Sequence, residues 1–193
     1  MTTETATLIE QRIGEGAAAI AALADPACVR ALTAAGELLS GAVRGGGKVL
    51  LFGNGGSAAD ATHIAAELVG RFLAERRAVP ALSLSDNASA VTAIGNDYGY
   101  DRVFARQVEA HAAEGDVAVG ISTSGRSANV REGLAAARAR GLATIALSGA
   151  DAGPLRAVAD VCIEVPSAET PRIQEAHTVV AHILCELIER DIT

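Results

Sequence analysis

From residue 48 onward, short runs of apolar residues alternate with longer stretches whose apolar positions recur every three or four residues. The runs are KVLLF (48–52), PALSLS (80–85), DVAVGIS (116–122), LATIALS (142–148) and DVCIEV (160–165). Apolar residues at nearly every position predict strands covered on both faces. Their alternation with helical patterns predicts parallel strands joined by right-handed crossovers. The expected fold class is α/β, a doubly wound sheet of about five strands flanked by helices. Two helices are predicted ahead of this core. Leu8, Ile9, Ile13, Ile20 and Leu23 mark the first; Pro26 opens the second, which carries Val29, Leu32, Leu38, Leu39 and Val43 and stops at GGG, residues 45–47. An amphipathic helix, roughly Pro171 to Arg190, closes the chain.

Composition narrows the class. The 193 residues fit one domain, with 1–45 as N-terminal helices used in packing or oligomerisation and an α/β core at 48–193, and half are apolar, enough for a substantial core. The polar start, MTTETATLIEQR, lacks the basic-then-apolar order of a signal peptide, and no apolar run is long enough to span a membrane. A net charge of -7, no Trp and 3% aromatics argue against nucleic acid, since there is neither a basic footprint nor a stacking platform. Cys28, Cys162 and Cys185 are odd in number and widely spaced, as expected for free thiols in the reducing cytoplasm.

Two strand-to-helix turns have the chemistry of an anion cradle. In an open α/β sheet, ligands bind beyond the carboxyl ends of the strands, near the point where strand order reverses. After KVLLF comes GNGGS (53–57), whose glycines let backbone N–H groups converge at the positive end of the next helix. After DVAVGI comes STSGRS (122–127), where Ser122, Thr123, Ser124 and Ser127 crowd hydroxyls around a second helix start. One of them can be an ordinary N-cap, but a helix needs only one. The stretch Gly53–Ala58 also fits a loose GxGxxA dinucleotide pattern. The acid expected about 20 residues later arrives only at Asp86, and no GxxxxGK[ST] occurs, so no nucleotide is expected.

A second chemistry follows directly. His63 and Glu67 are i and i+4 on the helix opened by Ser57, and the last helix carries Gln174, His177 and His182 among apolar neighbours. A lone histidine on such a face is more often a core residue satisfied by a hydrogen bond; two polar sets in one chain also fit a metal or acid/base centre. Zn²⁺ takes His and carboxylate, which makes His63, Glu67 and His182 a plausible ligand set, with Gln174 an unusual fourth.

GNGGSAADATHIAAELVGRF, AIGNDYGYDRVFARQVEA, GDVAVGISTSGRSANV and RIQEAHTVVAHIL together resemble the phosphoheptose isomerases, enzymes of the sugar-isomerase (SIS) fold that act on sedoheptulose 7-phosphate. The resemblance runs from about Lys48 to the C-terminus; the two leading helices fit by pattern only. It implies a homotetramer that makes D-glycero-D-manno-heptose 7-phosphate at the head of ADP-heptose synthesis. It also implies substrate contacts at Asn54, Gly55, Gly56, Asn96, Asp97, Ser122, Thr123, Ser124 and Ser127. One zinc per subunit would sit on His63, Glu67, Gln174 and His182, with Glu67 and Gln174 also touching substrate. By the same resemblance Glu67 is the base and His182 the acid. Two alternatives share the fold. A replication-initiator-associating adaptor carries similar GNG…SA and RIQE sequence but lacks the equivalents of Glu67 and His182, and a sugar-phosphate-sensing domain needs the cradle without an acid/base pair.

Helix geometry adds an expectation about assembly. Glu67 lies ten residues beyond Ser57, about 15 Å along a helix that runs back from the cradle, and Gln174 and His182 are about 12 Å apart on theirs. Each active site is therefore expected to draw on more than one chain, with the partners a sugar phosphate and further copies of the chain, and neither membrane nor nucleic acid.

Overall fold

A computed structural model describes residues 3–193. Helix α1 (Thr3–Ala21) passes through a short 3-10 turn into α2 (Pro26–Arg44). Proline at the first helical position and the Asp25 carboxylate, which accepts from Ala27 N–H at 2.8 Å, start α2. The glycine run then stops it, with Gly45 N–H bonded to Gly41 O at 3.0 Å.

The core follows as β1 (Val49–Gly53), α3 (Gly56–Val69), β2 (Ala81–Ser83), α4 (Ala88–Tyr98), α5 (Val103–His111), β3 (Val117–Ser122), α6 (Ala128–Ala139), β4 (Ala143–Ser148), β5 (Val161–Glu164) and α7 (Thr170–Ile192). All five strands are parallel, in the order β2-β1-β3-β4-β5. The chain leaves β1 toward β2, then crosses back to lay β3 on the other side of β1. Order therefore reverses between β1 and β3, whose carboxyl ends lie side by side through the Gly53–Ile121 pair.

Side-chain alternation divides the interior in two. Val49, Leu51, Val119, Ile121, Ile145 and Leu147 face a core shared with α2, α3 and α7. Leu50, Phe52, Ala118 and Ala146 face a core shared with α5 and α6, where Phe52 and Phe104 stack at 5.2 Å. Coverage on both faces is complete for β1 and β3 but not at the sheet edges: Leu82 in β2 is 38% exposed, and Val161 and Cys162 in β5 are half-buried. Edge strands have one neighbour and less helix over them.

The first helix buries little of its apolar stripe within one chain. Its apolar stripe of Leu8, Ile9 and Ile13 is exposed, and only Gly16 and Ala19 of α1 are buried. Helix α1 lies on the start of α7 through small residues, with Arg172 packed against Gly16, so the larger side chains are left outside. No single helix among the described residues is long and apolar enough to cross a membrane.

Candidate active site

Both glycine- and serine-rich turns fall at the β1/β3 switch point. In the second, Ser122 Oγ lies 2.9 Å from Ser127 Oγ and 3.5 Å from Ser124 Oγ. Ser127 occupies the N-cap position of α6, yet its hydroxyl makes no capping bond. The ordinary explanation for a serine at a helix start thus fails for Ser127, and three hydroxyls converge above a helix N-terminus. Gly125 makes this turn possible: its φ is +65°, and a Cβ there would meet the backbone of Asp151 and Ala152. Thr123 is half-buried and accepts Gly149 N–H through its carbonyl at 3.0 Å.

The two turns are tied together by a pair of amides. Asn54 Nδ2 donates to Asn129 Oδ1 and Asn129 Nδ2 donates to Asn54 Oδ1, both at 2.9 Å; Tyr100 OH donates to the same Asn54 oxygen at 3.1 Å. Asn54 is therefore engaged within the chain. Asn129, buried at 3%, and Tyr100 are site residues that sequence reasoning missed. Asn129 had a signal, standing two residues after Ser127; Tyr100 had none, because its contact spans 46 residues. Asn96 and Asp97, near the end of α4, are exposed and bonded to each other, Asn96 Nδ2 to Asp97 Oδ1 at 2.8 Å, rather than to the cradle.

The second set lies between α3 and α7, which run parallel. Gln174 packs on Gly56, where any Cβ would collide with its amide; His182 meets His63; Cys185 lines one small cavity with Glu67; and Glu189 meets residues 72–74. Both helices start at the carboxyl edge and run back from it. His63 Nε2 lies 3.2 Å from Glu67 Oε1, and the His63 and His182 rings meet edge to face at 5.2 Å. Phe72 packs on the other side of His182, also at 5.2 Å. The structure thus brings His63, Glu67 and His182 together and leaves Gln174 beside the cradle, about 12 Å up its own helix. On the same α3 stripe, between Gly56 and His63, burial pushes the Asp60 carboxyl upward while His63 pulls it down, and Asp60 Oδ2 is buried without a hydrogen-bond partner.

The two histidines of α7 separate cleanly. His177 is the core histidine: fully buried, with Nε2 donating to Ser148 O at 3.1 Å and burial holding it below the ordinary imidazole range. His182 instead is half-buried and meets the rings of His63 and Phe72. Cys185, beside it, is an inert thiol pushed up to about 12 by burial. The donor chemistry of His63, Glu67 and His182 fits zinc, although among the described residues no three His, Cys, Asp or Glu side chains close on one ion within a single chain.

The sequence that builds this sheet, with its hydroxyl cluster at the switch point, matches the SIS domain family over residues 12–149. Among curated proteins, the chain is 57% identical over 162 residues to a phosphoheptose isomerase of Geobacter sp. (strain M21), covering 84% of each. Among solved structures it resembles a phosphoheptose isomerase from Neisseria gonorrhoeae (TM-score 0.84, 42% identity, 97% of each chain). It also resembles one from Francisella tularensis (TM-score 0.91, 33% identity, 98% of this chain and 100% of that one). Coverage of that extent includes α1 and α2, which the sequence matched by pattern only. The chain belongs to the phosphoheptose isomerase family and is an isomerase.

Proposed function

We propose that this isomerase interconverts sedoheptulose 7-phosphate and D-glycero-D-manno-heptose 7-phosphate, the opening step of ADP-heptose synthesis. The observation that carries the reading is the pairing of an uncapped serine cluster at the β1/β3 switch with a His–Glu–His set on α3 and α7. The hydroxyls of Ser122, Thr123, Ser124 and Ser127 and the turn at Asn54–Gly56 hold the phosphate, with Gln174 placed to touch the substrate beside them. Asn96 and Asp97 are exposed and available to sugar hydroxyls.

Chemistry belongs to the other end of the sugar. Glu67 removes a proton from C1 of the ketose; the C1–C2 double bond forms, and the C2 oxygen takes a proton from His182. Loss of the O1 proton and reprotonation at C2 then give the aldose. His63, Glu67 and His182 are the residues that would hold zinc. A bound ion would polarise the carbonyl and stabilise the enediolate oxygen. Because Gln174 and the cradle stand apart from Glu67 and His182 within one chain, the working site combines elements of neighbouring copies in a homotetramer. The free thiols, Cys28 and Cys185 buried and Cys162 half-buried, support a cytoplasmic setting. An adaptor or sensor role is disfavoured by Glu67 and His182 themselves, which neither role uses.

Glu67→Gln and His182→Asn are each expected to lower turnover of sedoheptulose 7-phosphate by at least about 10²-fold while leaving phosphate-ligand binding by calorimetry nearly unchanged. Mass spectrometry should find zinc in the wild type and less in His63→Ala. Near-normal turnover in either acid/base variant would sink the assignment.

A further inference from the structure

A buried charged pair lies outside this chemistry. Glu189 on α7 is 3% exposed; its Oε1 accepts Phe72 N–H at 2.7 Å, and its Oε2 accepts Leu73 and Ala74 N–H at 2.8 and 2.9 Å. Arg76, its guanidinium fully buried, approaches Oε1 with Nε at 3.2 Å. The rest of that guanidinium donates to carbonyls: Nη2 to Glu67 O at 2.7 Å, and Nη1 to Leu68 O at 2.8 Å and to Gly70 and Arg77 O at 3.0 Å.

Two of those carbonyls belong to the last turn of α3, where a helix has orphan acceptors and a negative dipole end that favours a cation. Glu67 sits in that turn. The segment pinned by Glu189 carries Phe72, whose ring packs on His182, which in turn meets His63. A buried ion pair is weak support for stability, because desolvation cancels most of the attraction and an apolar pair would serve as well. What charges supply that an apolar pair cannot is direction: three N–H groups fixed on one carboxylate and four carbonyls fixed on one guanidinium.

We infer that the Glu189–Arg76 pair positions the acid/base machinery, fixing the α3 end that bears Glu67 and, through Phe72, the ring of His182. This rests on the reading of Glu67 and His182 as base and acid. Phe72 is the positioning residue that can be altered without touching the charges. Phe72→Leu keeps an apolar filling but removes the ring face; we expect kcat to fall about tenfold with KM within about twofold, and Phe72→Tyr to recover most of the loss. Glu189→Gln should lower both kcat and the melting temperature. The Phe72→Leu/Glu189→Gln double variant should be little slower than Glu189→Gln alone, since both act along one path.

Steady-state kinetics on sedoheptulose 7-phosphate, run well below each variant's melting temperature, test this. Wild-type kcat in Phe72→Leu, or losses that multiply fully in the double variant, would overturn the positioning role while leaving the isomerase reading intact. A wild-type protein that turns over no ketose phosphate would instead overturn the reading beneath it.

Discussion

Asn129 illustrates what a single side chain contributes. It is buried, both ends of its amide are used by Asn54, and it stands at the start of α6 while Asn54 stands at the end of β1. Truncating it leaves Asn54 Nδ2 without its acceptor, costing about 1–3 kcal/mol, while Tyr100 still donates to Oδ1, and it removes the direct tie between the two turns. Asn129→Ala is therefore expected to raise KM several-fold, with kcat changed less because Glu67 and His182 are untouched. Steady-state kinetics check this, and an unchanged KM would make Asn129 a packing residue only. Ser127 stands beside it at an N-cap position whose hydroxyl caps nothing and meets only Ser122 Oγ.

Among the elements, the sheet is locked at its amino end by Asp116, just ahead of β3. Its carboxylate accepts from Lys48 N–H at 2.9 Å and Ala113 N–H at 2.7 Å and pairs with the Lys48 ammonium at 2.5 Å, tying the start of β1 to that of β3. Burial pulls this carboxyl upward, but the hydrogen bonds from Lys48 and Ala113 outweigh it and hold it below the ordinary carboxylate range. A carboxyl depressed in the folded state binds fewer protons than in the unfolded chain. Its contribution is therefore present above the unfolded pKa, about 3.9, and is lost as pH falls through the lower folded value. Melting temperature should drop on acidification across that window, and Asp116→Asn should both lower it at neutral pH and flatten the acid limb. An unchanged acid limb in the variant would show that other carboxylates carry it. The same scale explains how much of the architecture was legible beforehand. Four strands fall within the apolar runs and β1 exceeds its run by Gly53 alone, and α2 and α7 begin and end within a few residues of their predicted limits, because periodicity, Pro26 and the glycine run act locally. The edge exposure of β2 and the outward face of α1 were not legible, since they depend on which neighbours each element acquires.

For the whole molecule, the consequence of parallel α3 and α7 is separation. Gln174 and the cradle share the carboxyl edge, whereas His63, Glu67 and His182 sit further back along the two helices. On the proposed reading, an extended heptose phosphate anchored in one chain's serines would project outward, not down its own α3. In the proposed assembly, the exposed stripe of Leu8, Ile9 and Ile13 on α1 would supply an apolar surface for another copy. Mixing inactive Ser124→Ala/Ser127→Ala subunits with inactive Glu67→Gln subunits, then reassembling them, should restore part of the activity. Hybrids confirmed by native mass spectrometry yet still inactive would place the whole site within one chain.

By itself the sequence determined the strands, the two turns at the switch point, and the presence of hydroxyls, His63, Glu67 and His182 with the spacing their chemistry needs. These follow from interactions within a few residues, where backbone period, glycine freedom and capping chemistry decide the outcome. Only the tertiary structure decided that His177 is buried against Ser148 O while the His182 ring meets those of His63 and Phe72, that Asn129 and Tyr100 hold Asn54, and that Glu189 grips residues 72–74. Those outcomes depend on the register of α7 against α3, set by packing Ile173, Val180, Leu184 and Ile188 into a core shared with strands distant in sequence. Periodicity places a residue on a helix face, but the partner across that face is fixed only when the helices dock.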